Sequence, residues 1–372
     1  MKRIFVDVYL AFNLGDDLFL DILAAQYPDC EITLNHVGSN YDEFIKNYNN
    51  IKRKKYNLIN KITQRLKITD SITDYDRVAE DHDVLVFLGG SIFREEEYHK
   101  SLYEERLKMV NEFKIRNKPT FILGANFGPY HTKEFVEDYK KLFKLCEDVC
   151  FRDTKSYNLF SELPQVRYAS DIVFQLDVNE YKMTKKKNII GFSIIDVKHK
   201  KGMERYEDEY LKSTAKAIEL AVSRGFECCL LSFCEQEGDL EIAQKIKRNL
   251  PLEISKKVSI YNYNGDLKKA LRLISTFRLI IAARFHANIL ALKLQVGLIP
   301  IIYSNKTLNM LFDLNEFHMH IEMDNLQLQY DKSFHDKALN KVSDINDAIK
   351  SAAIQFEKLN EFIDYKEEVN LS

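Results

Sequence analysis

Short apolar runs alternate with amphipathic stretches along nearly the whole chain. In the first half, residues 4–9, 32–37, 84–88, 120–123 and 149–151 read as strands, and 98–115 and 133–145 carry apolar positions at helical spacing. Residues 182–187, Lys182-Met183-Thr184-Lys185-Lys186-Lys187, are polar and charged and read as an interdomain linker. A second series follows, with strands over 189–195, 226–233, 258–261, 278–282 and 298–303. Between them the pattern predicts helices over 206–224, 239–249, 266–276 and 285–294, the first stopped at Gly225 and the second before Pro251. Strands that alternate with helices in this way build parallel sheets from βα units. The expected fold class is therefore α/β, with two Rossmann-like domains over 1–180 and 188–340. A helical segment over 341–372, most regular between 342 and 362, is expected to pack back on either domain.

Composition narrows the field by exclusion. The chain has 372 residues, with 54 Lys plus Arg against 56 Asp plus Glu, a formal net charge of −2 that gives no general attraction for nucleic acid. Its densest basic stretch, Lys52-Arg53-Lys54-Lys55 with Lys61, Arg65 and Lys67, alternates with apolar residues and reads as an amphipathic helix with a solvated face, or a landing surface for an anionic polymer or membrane. The six cysteines form no C-x-x-C pair, and Cys228-Cys229 lies in an apolar run, as expected for reduced thiols of a cytoplasmic protein. The first residues lead straight into a strand with no signal-peptide apolar core, and no apolar stretch approaches the ~18 residues of a membrane span.

The most informative chemistry lies near residue 284. The run Leu279-Ile280-Ile281 opens into Ala282-Ala283-Arg284-Phe285-His286-Ala287 and then a helix. A fixed cation and a titratable imidazole thus sit at a strand's carboxyl end, where the next helix's amides receive anions in open α/β sheets. Phosphate or carboxylate chemistry is the leading expectation. The plainer role for the same residues is an Arg that caps a helix or pairs with a carboxylate, beside a buried His.

Other strand ends carry small and polar residues. The first leads to Ala11-Phe12-Asn13-Leu14-Gly15-Asp16-Asp17, with Asp16 or Asp17 as a candidate helix cap. The strand over 84–88 ends in Gly89-Gly90-Ser91, and the next leads through Gly124 and Asn126 to Gly128-Pro129. Arg152 precedes Asp153, a candidate cap, and is expected to face the crevice or to pair with Asp153 or Asp171. Neither G-x-G-x-x-G nor G-x-x-x-x-G-K-[ST] occurs. Asp81-His82-Asp83 resembles a metal-binding D-x-D but reads as the opening of a strand. Phe317-His318-Met319-His320 offers two imidazoles on one edge strand, too few for a metal. No metal site is expected.

Taken in order, Asn13-Leu14-Gly15-Asp16, Gly89-Gly90, Gly128-Pro129, Arg152-Asp153 with Ser156, Asp171, Arg284-Phe285-His286-Ala287 and Tyr303 with Lys306 resemble the polysaccharide pyruvyl transferase family, over about residues 1–315. The resemblance implies a GT-B-like pair of Rossmann-like domains facing a cleft. It also implies transfer of a pyruvyl group from phosphoenolpyruvate, the co-substrate, to sugar hydroxyls of a cell-surface polymer or its precursor, with no cofactor. On it, Arg284 and His286 are the expected catalytic pair, joined by Arg152 and Lys306 in donor binding. Asn13, Gly15, Asp16, Gly89, Gly90, Asn126 and Asp171 are expected to bind the acceptor, a sugar that is lipid-linked or free. The chain departs from the family pattern at Phe285, commonly Leu, and at Ser91, commonly Gly. The expected location is cytoplasmic, with peripheral attachment to the inner face of the membrane left open. Two competing readings remain. One is a GT-B glycosyltransferase with a nucleotide-sugar donor, whose ribose would meet Glu235-Gln236-Glu237-Gly238; the other is a non-catalytic component of polysaccharide assembly.

Overall fold

A computed structural model describes residues 1–55, 74–198, 200, 202–314, 319–323, 326, 336–339 and 343–369. The chain divides into two compact units, each built on one all-parallel sheet. The first unit comprises Met1–Leu10, Phe19–Ile172 and Lys350–Ser372; the second comprises Ala11–Leu18 and Val173–Ile349. Two short segments therefore sit differently from a simple division near residue 180. Ala11–Leu18 folds with the second unit, and the C-terminal helices fold with the first.

The first sheet has the order β3-β2-β1-β4-β5-β6-β7. Its strands are β1 (Arg3–Val8), β2 (Glu31–Leu34), β3 (Ile51–Arg53), β4 (Val84–Phe93), β5 (Thr120–Phe127), β6 (Asp148–Phe151) and β7 (Val166–Tyr168). Strands of a sheet covered on both faces read as continuous apolar runs, and β4 and β5 are buried nearly throughout. Helices His99–Ile115 and Lys133–Phe143 supply Met109, Val110, Phe113, Phe135, Tyr139 and Phe143 to the core on one face. The C-terminal segment docks through Gln355, which accepts from the Gly124 amide at 2.8 Å and donates to the Ala169 carbonyl at 3.0 Å.

Two expectations are corrected here. Ile51–Arg53 opens the basic stretch as β3, not as a helix, because parallel pairing with β2 and burial of Ile51 outweigh helical periodicity. Lys52 meets Glu31 at 2.6 Å and Arg53 meets Asp42 at 2.6 Å; from residue 56 to 73 the stretch lies outside the described residues. The paired glycines do not end a strand. β4 continues through Gly89 and Gly90, both at positive φ, to Phe93, with a register shift against β5. A Cβ on Gly89 would meet the Phe19 ring at 2.4 Å, so this position ahead of the register shift needs glycine for both backbone and space.

The second sheet has the order β10-β9-β8-β11-β12-β13. Its strands are β8 (Ile189–Ser193), β9 (Glu227–Ser232), β10 (Val258–Asn262), β11 (Leu279–Ala282), β12 (Gly297–Ile302) and β13 (Ile321–Glu322). Chain order reverses between β8 and β11, which pair directly, Leu279 opposite Ile190 and Ala282 opposite Ser193. Such a switch point leaves a crevice outside the strands' carboxyl ends. Among the described residues, no helix is long and apolar enough to cross a membrane.

Candidate active site

Arg284 follows β11 at this switch point. It holds the extended N-cap conformation of helix Phe285–Lys293 without capping it through its side chain, and its amide donates to Ser193 Oγ at 3.2 Å. The guanidinium turns instead to two carboxylates. Nε donates to Asp239 Oδ2 at 2.9 Å, Nη2 donates to Asp239 Oδ1, and Nη1 donates to Glu237 Oε2 at 2.7 Å. Lys200 Nζ joins the same Glu237 oxygen at 2.7 Å. Two cations and two carboxylates leave this cluster formally neutral.

Burial decides which of these contacts is firm. Asp239 is fully buried and also accepts the amides of Phe233 and Cys234 at 3.1 and 3.0 Å, whereas the Glu237 side chain keeps 20% of its surface exposed. Burial works to lower the Arg284 pKa, but Asp239 and Glu237 outweigh it and hold the guanidinium well above its usual range. Burial likewise pushes Glu237 up, and Arg284 with Lys200 outweighs it, keeping that carboxyl below the usual range. The plainer role of Arg284, pairing with carboxylates, is thus what the structure shows for its side chain. Its Asp239 edge is a closed fork, while its Glu237 edge ends on a partly solvated partner.

His286 lies in the first turn of helix Phe285–Lys293, its ring edge-on to Phe285 at 5.1 Å between centroids. Gly15 is another neighbour. A Cβ built on Gly15 would fall 1.7 Å from His286 Nδ1, so the imidazole occupies the space that any other residue at position 15 would fill. Asn13, Gly15 and Asp16, expected on the first domain's acceptor edge, fold with the second unit and bring the start of helix Leu14–Gln26 to this histidine. The reason is local bonding: Leu14 donates its amide to Phe233 O at 3.0 Å, Asn13 Nδ2 reaches Glu237 Oε1 at 3.4 Å, and Tyr263 donates to Asp17 Oδ2 at 2.6 Å. The cap is Asn13, whose Oδ1 accepts the Gly15 amide at 3.1 Å; Asp16 and Asp17 lie within the first turn. Lys306 is half-buried in helix Asn305–Asp313, which follows β12, the neighbour of β11.

The remaining candidates belong to the first unit and form one buried network. Arg152 Nη1 donates to Asp171 Oδ2 at 2.8 Å and Nη2 to Asn126 Oδ1 at 2.6 Å, and Ser91 Oγ reaches the same Asn126 oxygen at 2.9 Å. Asp153 caps helix Thr154–Phe160 through the Ser156 amide, leaving Asp171 as the partner of Arg152. Gly89 and Gly90 lie within β4, directly ahead of its register shift. Asp83 accepts the Arg3 amide at 2.8 Å ahead of β4, and His82 packs on Phe5, so these two residues serve the fold. Of Phe317-His318-Met319-His320, the first two lie outside the described residues.

Four partners were not singled out from sequence as a set: Ser193, Lys200, Glu237 and Asp239. Only the acidic turn Glu235-Gln236-Glu237-Gly238 carried a signal, and it pointed to a ribose. In the structure Glu237 serves Arg284 and Lys200, and Glu235 accepts from Asn262. Among the described residues, no group of three or more His, Cys, Asp or Glu side chains is placed to hold a metal ion.

The family model for polysaccharide pyruvyl transferase matches residues 13–305, which contain every expected catalytic, donor-binding and acceptor-binding residue except Lys306. Solved structures share the fold at low identity. HepE of Anabaena, in complex with UDP and glucose, is 13% identical with a TM-score of 0.58, covering 99% of this chain and 100% of its own. MnaA of S. aureus, a UDP co-structure, is 12% identical with a TM-score of 0.59, covering 98% and 97%. The UDP-GlcNAc 2-epimerase of Neisseria meningitidis, bound to UDP-GlcNAc, is 13% identical with a TM-score of 0.57, covering 97% and 100%. These likenesses establish a GT-B-like α/β fold and leave the chemistry to the site.

Proposed function

The chain belongs to the polysaccharide pyruvyl transferase family, and we propose that it transfers the pyruvyl group of phosphoenolpyruvate to sugar hydroxyls of a cell-surface polysaccharide or its lipid-linked precursor, forming a ketal. The observation that carries this reading is the His286 imidazole seated on Gly15, in the first turn of a helix capped by the backbone of Arg284. A side chain with an ordinary pKa near ~6.5 serves as acid or base at neutral pH, and helix amides stabilise an anion beside it.

The chemistry balances with these groups alone. A proton delivered to the methylene of phosphoenolpyruvate makes the methyl group and leaves an oxocarbenium-like carbon. A sugar oxygen bonds to that carbon, the bond to the phosphate oxygen breaks, and a second hydroxyl closes the ketal. Of the two hydroxyl protons, one ends on the methyl carbon and the other on the departing phosphate. His286 is assigned the proton transfer. Arg284 is assigned the donor carboxylate, exchanging Glu237 for it while Asp239 holds the rest of the fork; the phosphate is assigned to the amides after Arg284, with Lys306. Asn13, Gly15 and Asp16 move to this donor side. Asn126, Asp171, Gly89 and Gly90 keep the acceptor role, and Arg152, expected at the donor, is reassigned as their positioning residue because its guanidinium holds Asp171 and Asn126. This scheme calls for no divalent metal, and it places the reaction in the cytoplasm, where phosphoenolpyruvate is made.

The test gives the purified protein phosphoenolpyruvate and a panel of galactose-, mannose- and N-acetylmannosamine-containing acceptors. Inorganic phosphate should appear in step with a pyruvylated sugar, with the rate unchanged by chelator and lost in His286→Ala. Transfer of a glycosyl group from a nucleotide sugar, with phosphoenolpyruvate inert towards the same acceptor, refutes the proposal.

A further inference from the structure

Among the described residues, four aromatic side chains stand out as exposed: Tyr9 at 38%, Tyr98 at 57%, Tyr130 at 37% and Phe312 at 53%. Three of the four belong to the first unit and follow three neighbouring strands. Tyr9 follows β1, Tyr98 follows β4 and Tyr130 follows β5, and these strands pair side by side in parallel, so the tyrosines share the sheet's carboxyl edge. That edge includes the β1/β4 switch point, where doubly wound sheets receive ligands.

The three positions are also built, not merely adjacent. Arg94, just past β4, lies with its guanidinium 5.7 Å from the Tyr9 ring centroid and near the Tyr98 hydroxyl, and Glu96 holds its Nε at 2.9 Å. Glu95 donates its amide to Pro129 O at 2.9 Å, and its carboxylate accepts from Thr132 and His131, which ties the segment after β4 to the one after β5. Tyr130 rests on Phe127 at 5.6 Å. Proteins seldom leave rigid aromatic rings clustered in water unless a partner covers them. Rings with a polar tip, set around a fixed guanidinium, suit an occupant that has both apolar C–H faces and hydroxyls. A pyranose has both.

We propose that Tyr9, Tyr98 and Tyr130, with Arg94 between the first two, form a stacking platform for the pyranose rings of the acceptor glycan, so that the enzyme grips several sugar units of a chain. This rests on the sugar-acceptor part of the function proposed above. The chain has no tryptophan, so Tyr98→Trp gives a single fluorescent reporter on the platform and Phe312→Trp gives one in the second unit. Each is titrated with galactose-, mannose- and N-acetylmannosamine-containing oligosaccharides, and separately with phosphoenolpyruvate. A saturable change at position 98 with a glycan, but none at 312, is expected. Removing a ring by Tyr9→Ala or Tyr130→Ala should weaken that glycan roughly three- to tenfold and leave phosphoenolpyruvate binding unchanged.

If no glycan moves the fluorescence of the Tyr98→Trp variant, or if pyruvylation proceeds with acceptor KM unchanged in both alanine variants, the platform is refuted. Glycan binding that obeys the platform without any pyruvylation refutes the transfer reaction instead and leaves the platform standing.

Discussion

Replacing Gly15 with alanine separates the position of His286 from the stability of the fold. The new Cβ would fall 1.7 Å from Nδ1 and 2.5 and 2.6 Å from Cγ and Cε1 of the imidazole. Carbon contacts settle at ~3.5–4.0 Å, so one side must give by roughly 2 Å. The obstacle is a side chain, and its cheapest escape is rotation of the ring away from helix Leu14–Gln26. Glycine to alanine inside a helix returns up to ~1 kcal/mol, and overpacking costs about 1–3 kcal/mol. The net loss of stability should therefore stay below about 2 kcal/mol. A catalytic group displaced by 1 Å costs roughly a hundredfold in rate. Gly15→Ala should then unfold in denaturant close to wild type while phosphate release falls by about that factor or more. A double-mutant cycle isolates the cause: in a His286→Ala background the Gly15 substitution should cost almost nothing further. Additive losses, or an active Gly15→Ala enzyme, would refute the claim that this glycine exists to seat the histidine.

Two further predictions concern buried charge. Asp239→Asn leaves Arg284 buried without its closed fork and should cost about 3–5 kcal/mol by chemical denaturation, clearly more than Glu237→Gln, where the carboxylate lost is itself partly solvated; equal costs would undo the ranking of the two carboxylates. Lys293 donates its Nζ to Phe174 O at 2.7 Å, and burial lowers its pKa to about 8. In the unfolded chain it still binds its proton up to its ordinary value near ~10.4, so this group favours the folded state progressively as pH rises from about 8 towards that value. The stability advantage of Lys293→Met over wild type should shrink across the same interval, measured pairwise at each pH; a constant difference would mean that Lys293 folds with an ordinary pKa.

Much of the α/β pattern was legible because parallel strands covered on both faces are nearly pure apolar runs. β8 to β12 and the helices between them follow the expected order, with boundaries shifted by a few residues. The misses share a cause. β3 and β7 are three residues long, each with one buried side chain, and their basic residues are held by carboxylates on other segments: Arg53 by Asp42, Arg167 by Asp148. Nothing in local periodicity encodes such a partner. The course of β4 was misread for a related reason. Gly89-Gly90 has the same sequence signature whether the strand stops or bends, and the Phe19 ring that decides between them lies on another element.

The site divides along the same line. Arg284 and His286 are adjacent in sequence to a recognisable strand and helix, so their place at a sheet's carboxyl edge could be read directly. What surrounds them could not: Asp239 lies 45 residues from Arg284, and Gly15 reaches His286 from the other end of the chain. That distant shell changes the chemistry expected of the arginine. A guanidinium met in sequence suggests a clamp for a dianion, but one already neutralised by Asp239 and Glu237 contributes orientation more than net charge. A donor anion gains from it only by displacing Glu237, the partly solvated partner, and the displaced carboxylate retains Lys200 and Asn13 as partners. The cluster then acts as an exchange site: it stays neutral when empty and exposes one guanidinium edge when an anion takes Glu237's place. Affinity for the donor should accordingly rise in Glu237→Gln, where the competing charge is gone, and a calorimetric titration in which that variant binds phosphoenolpyruvate more weakly than wild type would rule the exchange out.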